Sequence, residues 1–304
     1  MVIYVAKRIV QAVIVLFIVL TLVFLTVNLI GDPALLMAPA DASPEQIKLL
    51  RESLGLDQPL IVRYWQFISG GVMGNFGESF WMRQPALQVA GSRYGATLIL
   101  GLSAMVLALV IGPTLGALAV ISRRGWPEQV VSIISFGAVA TVEFWAALIL
   151  IYVFAVKLGV LPTSGFSPQG VILPAVVISI PAIGRLAQFT MESLKEEMTK
   201  PYARAAIARG VPRSRTVMIH GAKNIAVPLT TLFGNELIAA VSSVTIIEVV
   251  FAWPGEGQLL YLAIQNRDLP LVIACVFIFT IVVVTINFLV DMLYGVIDRR
   301  ARIA

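Results

Sequence analysis

Cysteine and histidine are nearly missing from this chain: Cys275 and His220 are the only ones in 304 residues. A lone cysteine excludes an intramolecular disulfide and any cysteine-based metal site, and a lone histidine leaves no imidazole cluster to relay a metal ion. Charge is scarce too, at 13% of residues against 59% hydrophobic, and mean hydropathy is +0.92. A soluble domain with a conventional surface is excluded, and the expected class is an all-α polytopic membrane protein. No G-x-x-x-x-G-K-[ST] phosphate loop occurs, so the chain is not the ATP-hydrolysing part of any machine built on that loop. No catalytic constellation, metal site or nucleic-acid partner is expected.

Long apolar runs are what the chain has. Lys7 and Arg8 precede a run from Ile9 to Ile30, roughly 22 residues or ~33 Å of helix, enough to cross a bilayer. It is too long for a signal-peptide core, so it reads as a retained first span closed by Gly31-Asp32-Pro33. Five further spans are expected at 94–121, 128–156, 171–191, 226–250 and 271–297. Residues 31–93 form one sizeable non-membrane segment, with a polar helix over 43–54 and two Gly-rich turns. The expected organisation is 1–30, 31–93, a five-helix core over 94–297 and a tail over 298–304. Of the 22 Lys and Arg residues, 15 cluster in the N-terminal end, alternate inter-span loops and the C-terminal end, counting Arg123, Arg124 and Arg185, whereas 31–93 carries five basic and six acidic residues. The positive-inside rule then puts both termini in the cytosol.

A polar island runs from Glu196 to Pro228. Tyr202 to Arg209 is rich in Ala and Arg, Gly210 stands where a left-handed C-cap belongs, and Val211-Pro212 restarts a helix. Ala205 and Ala206 leave room for close approach, ringed by Arg204, Arg209, Arg213 and Arg215. An ordinary basic loop would have the same composition, but the order Tyr202, Ala205, Ala206, Gly210, His220, Asn224, Pro228 has a particular spacing. It resembles the EAA loop of binding-protein-dependent ABC importer permeases in the peptide/nickel branch. Arg204 stands where that loop's name expects Glu.

Other segments carry the same resemblance. Leu54-Gly55-Leu56-Asp57, Pro59, Tyr64 and Gly74 to Ser79 are similar to the family's external segment, with Asn75 in place of its aspartate. Glu248, Phe251, Pro254, Gly255, Gly257 and Leu259 match E-x-x-F-x-x-P-G-x-G-x-L, and Asn287, Asp291, Tyr294 and Asp298 match the last span, with Arg299 where proline is usual. In span four, Gln188 and Met191 lie near positions often held by arginine in relatives, with Arg185 about a turn earlier. The resemblance implies the type I permease fold, six spans with both termini inside, in a bacterial cytoplasmic (inner) membrane. It implies a coupling loop over 192–225 that docks an ATPase through Tyr202, Arg204, Ala205, Ala206, Arg209 and Gly210. Phe251, Pro254, Gly255 and Gly257 would form an outer gate or re-entrant turn. Partners would be two ABC ATPase subunits, which hold the ATP and Mg, a second homologous permease and an extracytoplasmic binding protein. Cargo would be short peptides, or alternatively nickel, glutathione or a related solute.

Two acids fall inside expected spans, Glu143 about 15 residues (~22 Å) into span three and Glu236 about 10 residues (~15 Å) into span five. A lone charge facing lipid costs ~2.5–3.5 kcal/mol on insertion scales, so both should face water, a partner or each other's helices. They are candidate pathway residues favouring a cationic group, with pairing to Arg185 or a buried protonated acid as the alternative. Small residues from Gly101 to Gly116 and from Ala239 to Ser243 suit close helix packing. A secondary carrier could use Glu143 and Glu236 for ion coupling, and an intramembrane protease could use Asp291 and Asp298, but neither needs a Gly-punctuated basic docking helix.

Overall fold

The computed structural model describes residues 2–30, 43–53, 55–122 and 124–297. Gly31-Asp32-Pro33, Leu54, Arg123 and the tail with Asp298, Arg299, Arg300 and Arg302 lie outside the described residues. Apart from one isolated bridge between Glu78 and Pro85, the described chain is helix and turn. In order come α1 (Val2–Ile30), α2 (Pro44–Ser53), α3 (Leu60–Val72), α4 (Ala86–Ile121), α5 (Trp126–Ala140), α6 (Glu143–Lys157), α7 (Ile172–Thr199), α8 (Pro201–Ala208), α9 (Arg213–Val250), α10 (Glu256–Gln265) and α11 (Leu269–Ile297). The last turns of α6 and an early stretch of α9, Ile151–Lys157 and Thr216–Gly221, are wound as wider π turns. Among the described residues, five helices are long and apolar enough to cross a membrane, or up to six if the bent pair α5 and α6 is one span.

That pair corrects the expected straight span over 128–156. The axis turns by 102° at Thr141 and Val142, both extended. Val139, Thr141 and Val142 are stiff β-branched residues, and the Thr141 hydroxyl bonds back to the Gly137 carbonyl at 2.7 Å. Glu143 therefore opens a new helix, and a depth of ~22 Å along a straight rod does not apply to it. Other bounds shift as well. Helix α4 begins eight residues before the expected span at 94, at Ala86, taking the end of the 31–93 segment into the helix. Helix α7 runs on to Thr199, and α9 starts at Arg213 rather than 226. Pro212 caps it, as the restart at Val211-Pro212 requires.

The chain divides into two compact units, Met1–Gly95 with Gly255–Phe288, and Ala96–Pro254 with Leu289–Ala304. In the first, α3 lies on α1, and Ala86, Val89, Ala90, Leu259, Ala263, Leu271, Ala274 and Cys275 form a core. Asp268 is buried there, caps α11 through the Leu271 amide at 3.2 Å, and accepts the Ser79 hydroxyl at 2.5 Å and the Trp81 amide at 3.1 Å. The Gly74 to Ser79 motif is thereby tied to the turn before α11.

In the second unit, α7 is the central helix. It packs against α5, α6 and α9, and its core partners include Leu100, Met105, Ala147, Val244 and Ile247. Gly116 shows why small residues are needed: a Cβ there would lie 2.9 Å from the Met191 amide nitrogen of α7, so only glycine permits the approach of α4. Arg185, counted above among loop cations, sits instead mid-way along α7. Its charge belongs to the helix interior and not to a cytosolic surface.

Helix α9 ends in a Schellman motif with alanine at the left-handed position. The amides of Ala252 and Trp253 return to the carbonyls of Val249 and Glu248 at 3.3 and 2.8 Å, and Ala252 has φ 47°. A left-handed non-glycine residue costs roughly 1–2 kcal/mol. Ala252→Gly is therefore expected to stabilise the unit by about 1 kcal/mol, after the entropy that glycine adds to the unfolded chain. An unchanged or lower melting temperature for the purified transporter would contradict this.

Candidate functional site

The loop after α7 is built around an acid. Lys200 and Pro201 separate α7 from α8, since the residue before proline is driven to the extended region, and Lys200 has φ −69° and ψ 151°. Glu197, one turn before that corner, is buried. Its carboxylate accepts from the Lys200 ammonium and the Tyr202 hydroxyl, and from the Asn224 amide at 2.9 Å; Asn224 also donates to Tyr202 at 3.0 Å. One carboxylate thus joins the end of α7, the first turn of α8 and the early part of α9. Burial pushes the Tyr202 phenol up, and the adjoining Glu197 carboxylate adds to the rise, so the phenol remains a proton donor at neutral pH.

Helix α8 ends as expected: Gly210 has φ 85°, and the amides of Gly210 and Val211 return to Ile207 and Ala206 at 3.0 and 3.1 Å. Its two faces differ. Ala203 and Ala206 are buried against this chain's own helices, whereas Arg204, Ala205, Ile207, Ala208 and Arg209 are exposed. Ala205 and Ala206, read together above as leaving room for close approach, therefore differ in access. The residues are 100° apart around a helix, and Ala206 is already covered. The loop is braced on its flanks as well, by Arg213 Nε donating to the Val120 carbonyl at 2.8 Å and Lys195 paired with Glu128 at 2.5 Å. His220 is exposed in the π turn of α9 and takes no part in the Glu197 network.

The apolar helices hold a second polar group. Arg185 on α7 meets Glu236 on α9 in a bidentate pair, Nε to Oε1 at 2.5 Å and Nη2 to Oε2 at 2.6 Å. The Glu236 side chain is 6% exposed and that of Arg185 38%. Glu143, at the first position of α6, accepts the Ser243 hydroxyl of α9 at 2.8 Å, and a carboxylate there also complements the helix N-terminus. Glu236 is thus a paired, buried acid, in line with the structural alternative weighed for it above.

At the far end of α9, Phe251, Gly255 and Gly257 are buried and Pro254 half-buried. The residue that anchors this turn is one the motif leaves unspecified. Trp253, 2% exposed, donates its indole N–H to the Ala96 carbonyl at 3.0 Å and packs on the Phe166 ring. Glu197 was missed in the same way. Its signal, the second of two adjacent acids followed by Lys at i+3 and Tyr at i+5, is faint, and Asn224 arrives from 27 residues away. No group of three or more potential metal-ligating side chains occurs among the described residues.

Comparison with known proteins covers nearly the whole chain. Residues 104–303 match the family described as Binding-protein-dependent transport system inner membrane component, and residues 1–101 match the corresponding N-terminal family. The chain is 37% identical over 301 residues to the Glutathione transport system permease protein GsiC of Escherichia coli strain K12, covering 98% of each chain. The same protein of Shigella dysenteriae serotype 1 is equally similar, with 98% of each chain covered. The chain accordingly belongs to the binding-protein-dependent transport system inner membrane component family, as the multi-pass permease subunit of an ABC importer in the peptide/nickel branch.

Proposed function

We propose that this permease carries short peptides, glutathione included, and that α8 is the element through which a separate ATPase drives it. The supporting observation is the two-sided build of α8: one face locked to α7 and α9 through Glu197, Tyr202 and Asn224, the other open and lined by Arg204, Ala205, Ile207 and Arg209. A short helix so held transmits displacement to two long helices at once, as a docking element must. Gly210 and Tyr202 act from behind, by ending and anchoring it. The ATPases hold the nucleotide and Mg, this chain binds no cofactor, and a second homologous permease completes the pathway. Both termini lie in the cytosol, and the turn over 251–257 faces the binding protein.

Transport then follows alternating access. ATP binding closes the ATPases, α8 moves with them, and α7 and α9 rock the cavity open toward the loaded binding protein; hydrolysis resets it. The substrate assignment leans on the relatives, which transport the tripeptide glutathione by name, and on the family. The polar group of Arg185, Glu236, Glu143 and Ser243 is the part of the chain suited to line the route, since ionisable groups among membrane helices mark substrate paths.

The test is copurification of the complete transporter and its ATPase rate with loaded binding protein, comparing the native chain with Ala205→Asp plus Ile207→Asp. Both positions face outward, so the fold is spared. The ATPase subunits should be released, or substrate stimulation should fall about 10-fold, the size of a 1.4 kcal/mol loss. Native copurification and native stimulation in the double variant would remove α8 from the interface. Stimulation by glutathione and by di- and tripeptides, tested separately, decides the cargo.

A further inference from the structure

Helix α3 lies within the segment expected to stand outside the membrane, yet it has two apolar faces. One is occupied. Ile68 and Gly71 are buried and Tyr64 and Phe67 half-buried. The Tyr64 hydroxyl shares a 2.9 Å hydrogen bond with Thr21, the Phe24 ring meets the Tyr64 and Phe67 rings at 5.4 and 5.6 Å, and a Cβ on Gly71 would come within 3.3 Å of Leu20. The other face is a stripe of Ile61, Val62, Trp65, Val72 and Met73, all exposed, with an open groove running past Trp65, Gln66 and Ser69.

Depth decides what covers that stripe. The apolar part of α1 extends at least over Lys7–Thr26. Leu20, Thr21 and Phe24 lie about 9, 7.5 and 3 Å inside its C-terminal end, at 1.5 Å per residue. If the span continues to Ile30, these contacts lie deeper still. Residues 64 to 71 of α3 are therefore held at a level inside the hydrocarbon layer, not above it. A helix of 13 residues, ~20 Å long, is too short to cross.

The composition of the open face fits that level. It has no charged residue. Its hydroxyl, Ser69, donates to the Gln66 carbonyl of its own helix at 3.0 Å and so needs no water. Trp65, 58% exposed, is a side chain that concentrates at membrane boundaries. Helix α1 exposes apolar side chains of its own, including Phe17, Ile18, Leu22 and Leu25. Polar residues flank the helix, Asp57 and Gln58 before it and Asn75 after it.

We infer that α3 is an interfacial membrane helix, whose Ile61, Trp65 and Val72 face is seated in the acyl-chain layer of the leaflet at the C-terminal end of α1. Its occupant is lipid, so 31–93 is not wholly an aqueous segment. The inference rests on α1 crossing the membrane and is independent of the proposed coupling helix and cargo.

Nitroxide labels at positions 61, 65, 68 and 72, each in a Cys275→Ala background, report this in the complete transporter reconstituted in phosphatidylcholine and phosphatidylglycerol nanodiscs. Collision with oxygen should exceed collision with nickel-EDDA several-fold at 61, 65 and 72, with both low at the buried position 68. Nickel-EDDA exceeding oxygen at the three outer positions would place the face in water. Low values for both reagents there would mean that protein covers it, and either result overturns the inference. Brominated acyl chains give a second reading with a milder change: Trp65→Phe should remove a measurable share of the lipid-dependent tryptophan quenching, and unchanged quenching would count against lipid contact.

Discussion

Replacing Arg185 with leucine should destabilise the permease by about 3–5 kcal/mol, the cost of stranding one partner of a buried ion pair. The Glu236 carboxylate is 6% exposed and has its two oxygens on the guanidinium, so removing the arginine leaves a charge without compensation. Glu236→Leu should cost less, because the stranded guanidinium is 38% exposed and has a longer reach to water. The double change to leucine at both positions should recover most of the loss, since well-packed apolar pairs often match buried ion pairs. Thermal retention of the detergent-solubilised transporter gives the order. If Arg185→Leu proves no worse than the double variant, the pair does not hold α7 to α9.

The same residues separate structure from transport. Glu143→Gln with Glu236→Gln keeps the shapes and removes both charges. A protein that still assembles, with altered preference between cationic and anionic peptides, supports a route lined by this group. The loss of the Arg185 charge partner should cost some stability, less than Glu236→Leu because glutamine still accepts a guanidinium hydrogen bond. Unchanged uptake of both removes Glu143 and Glu236 from the pathway.

The second large effect is expected at Glu197. Alanine there takes the acceptor from Tyr202, Lys200 and Asn224 at once. Hydrogen bonds to charged groups contribute about 1.5–3 kcal/mol each, and three sharing one carboxylate are not additive, so a local loss near 3 kcal/mol is the reasonable scale. Two orders of magnitude in the population of correctly seated α8 correspond to that loss. The expected result is an assembled transporter whose basal hydrolysis persists and whose stimulation by loaded binding protein falls at least 10-fold. Glu197→Gln, which keeps one acceptor, should fall between. Tyr202→Phe should be milder, because Asn224 still reaches Glu197. Native stimulation in Glu197→Ala would show that the network is dispensable for coupling.

Much of this was legible from residue order. Runs of apolar residues longer than a bilayer needs reveal helices, and Gly210 and Pro212 mark the end of α8 and the start of α9 because each has a backbone restriction that local sequence expresses. The 102° break was hidden, since Val139 to Val142 is as apolar as a span and hydropathy does not register φ and ψ. That Ala206 is covered by this chain was hidden, because composition does not say which face of an alanine-rich helix is already taken. Glu236 could be flagged as anomalous, but Arg185 lies 51 residues away, and only the packing of α7 on α9 brings them together. Asp268 and Ser79, 189 residues apart, are the extreme case. Local chemistry is written in the sequence; long-range partners are written in the packing.

Helix α9 spans 38 residues, Arg213–Val250, or about 57 Å, nearly twice the ~30 Å hydrocarbon layer. A rod of that length is a lever. Tilting it by about 10° around its midpoint carries each end through roughly 5 Å, so displacement at the Arg213 end reappears, reversed, at the turn beside Trp253 with no other moving part. The π turn at Thr216–Gly221 lies near the Arg213 end of that rod.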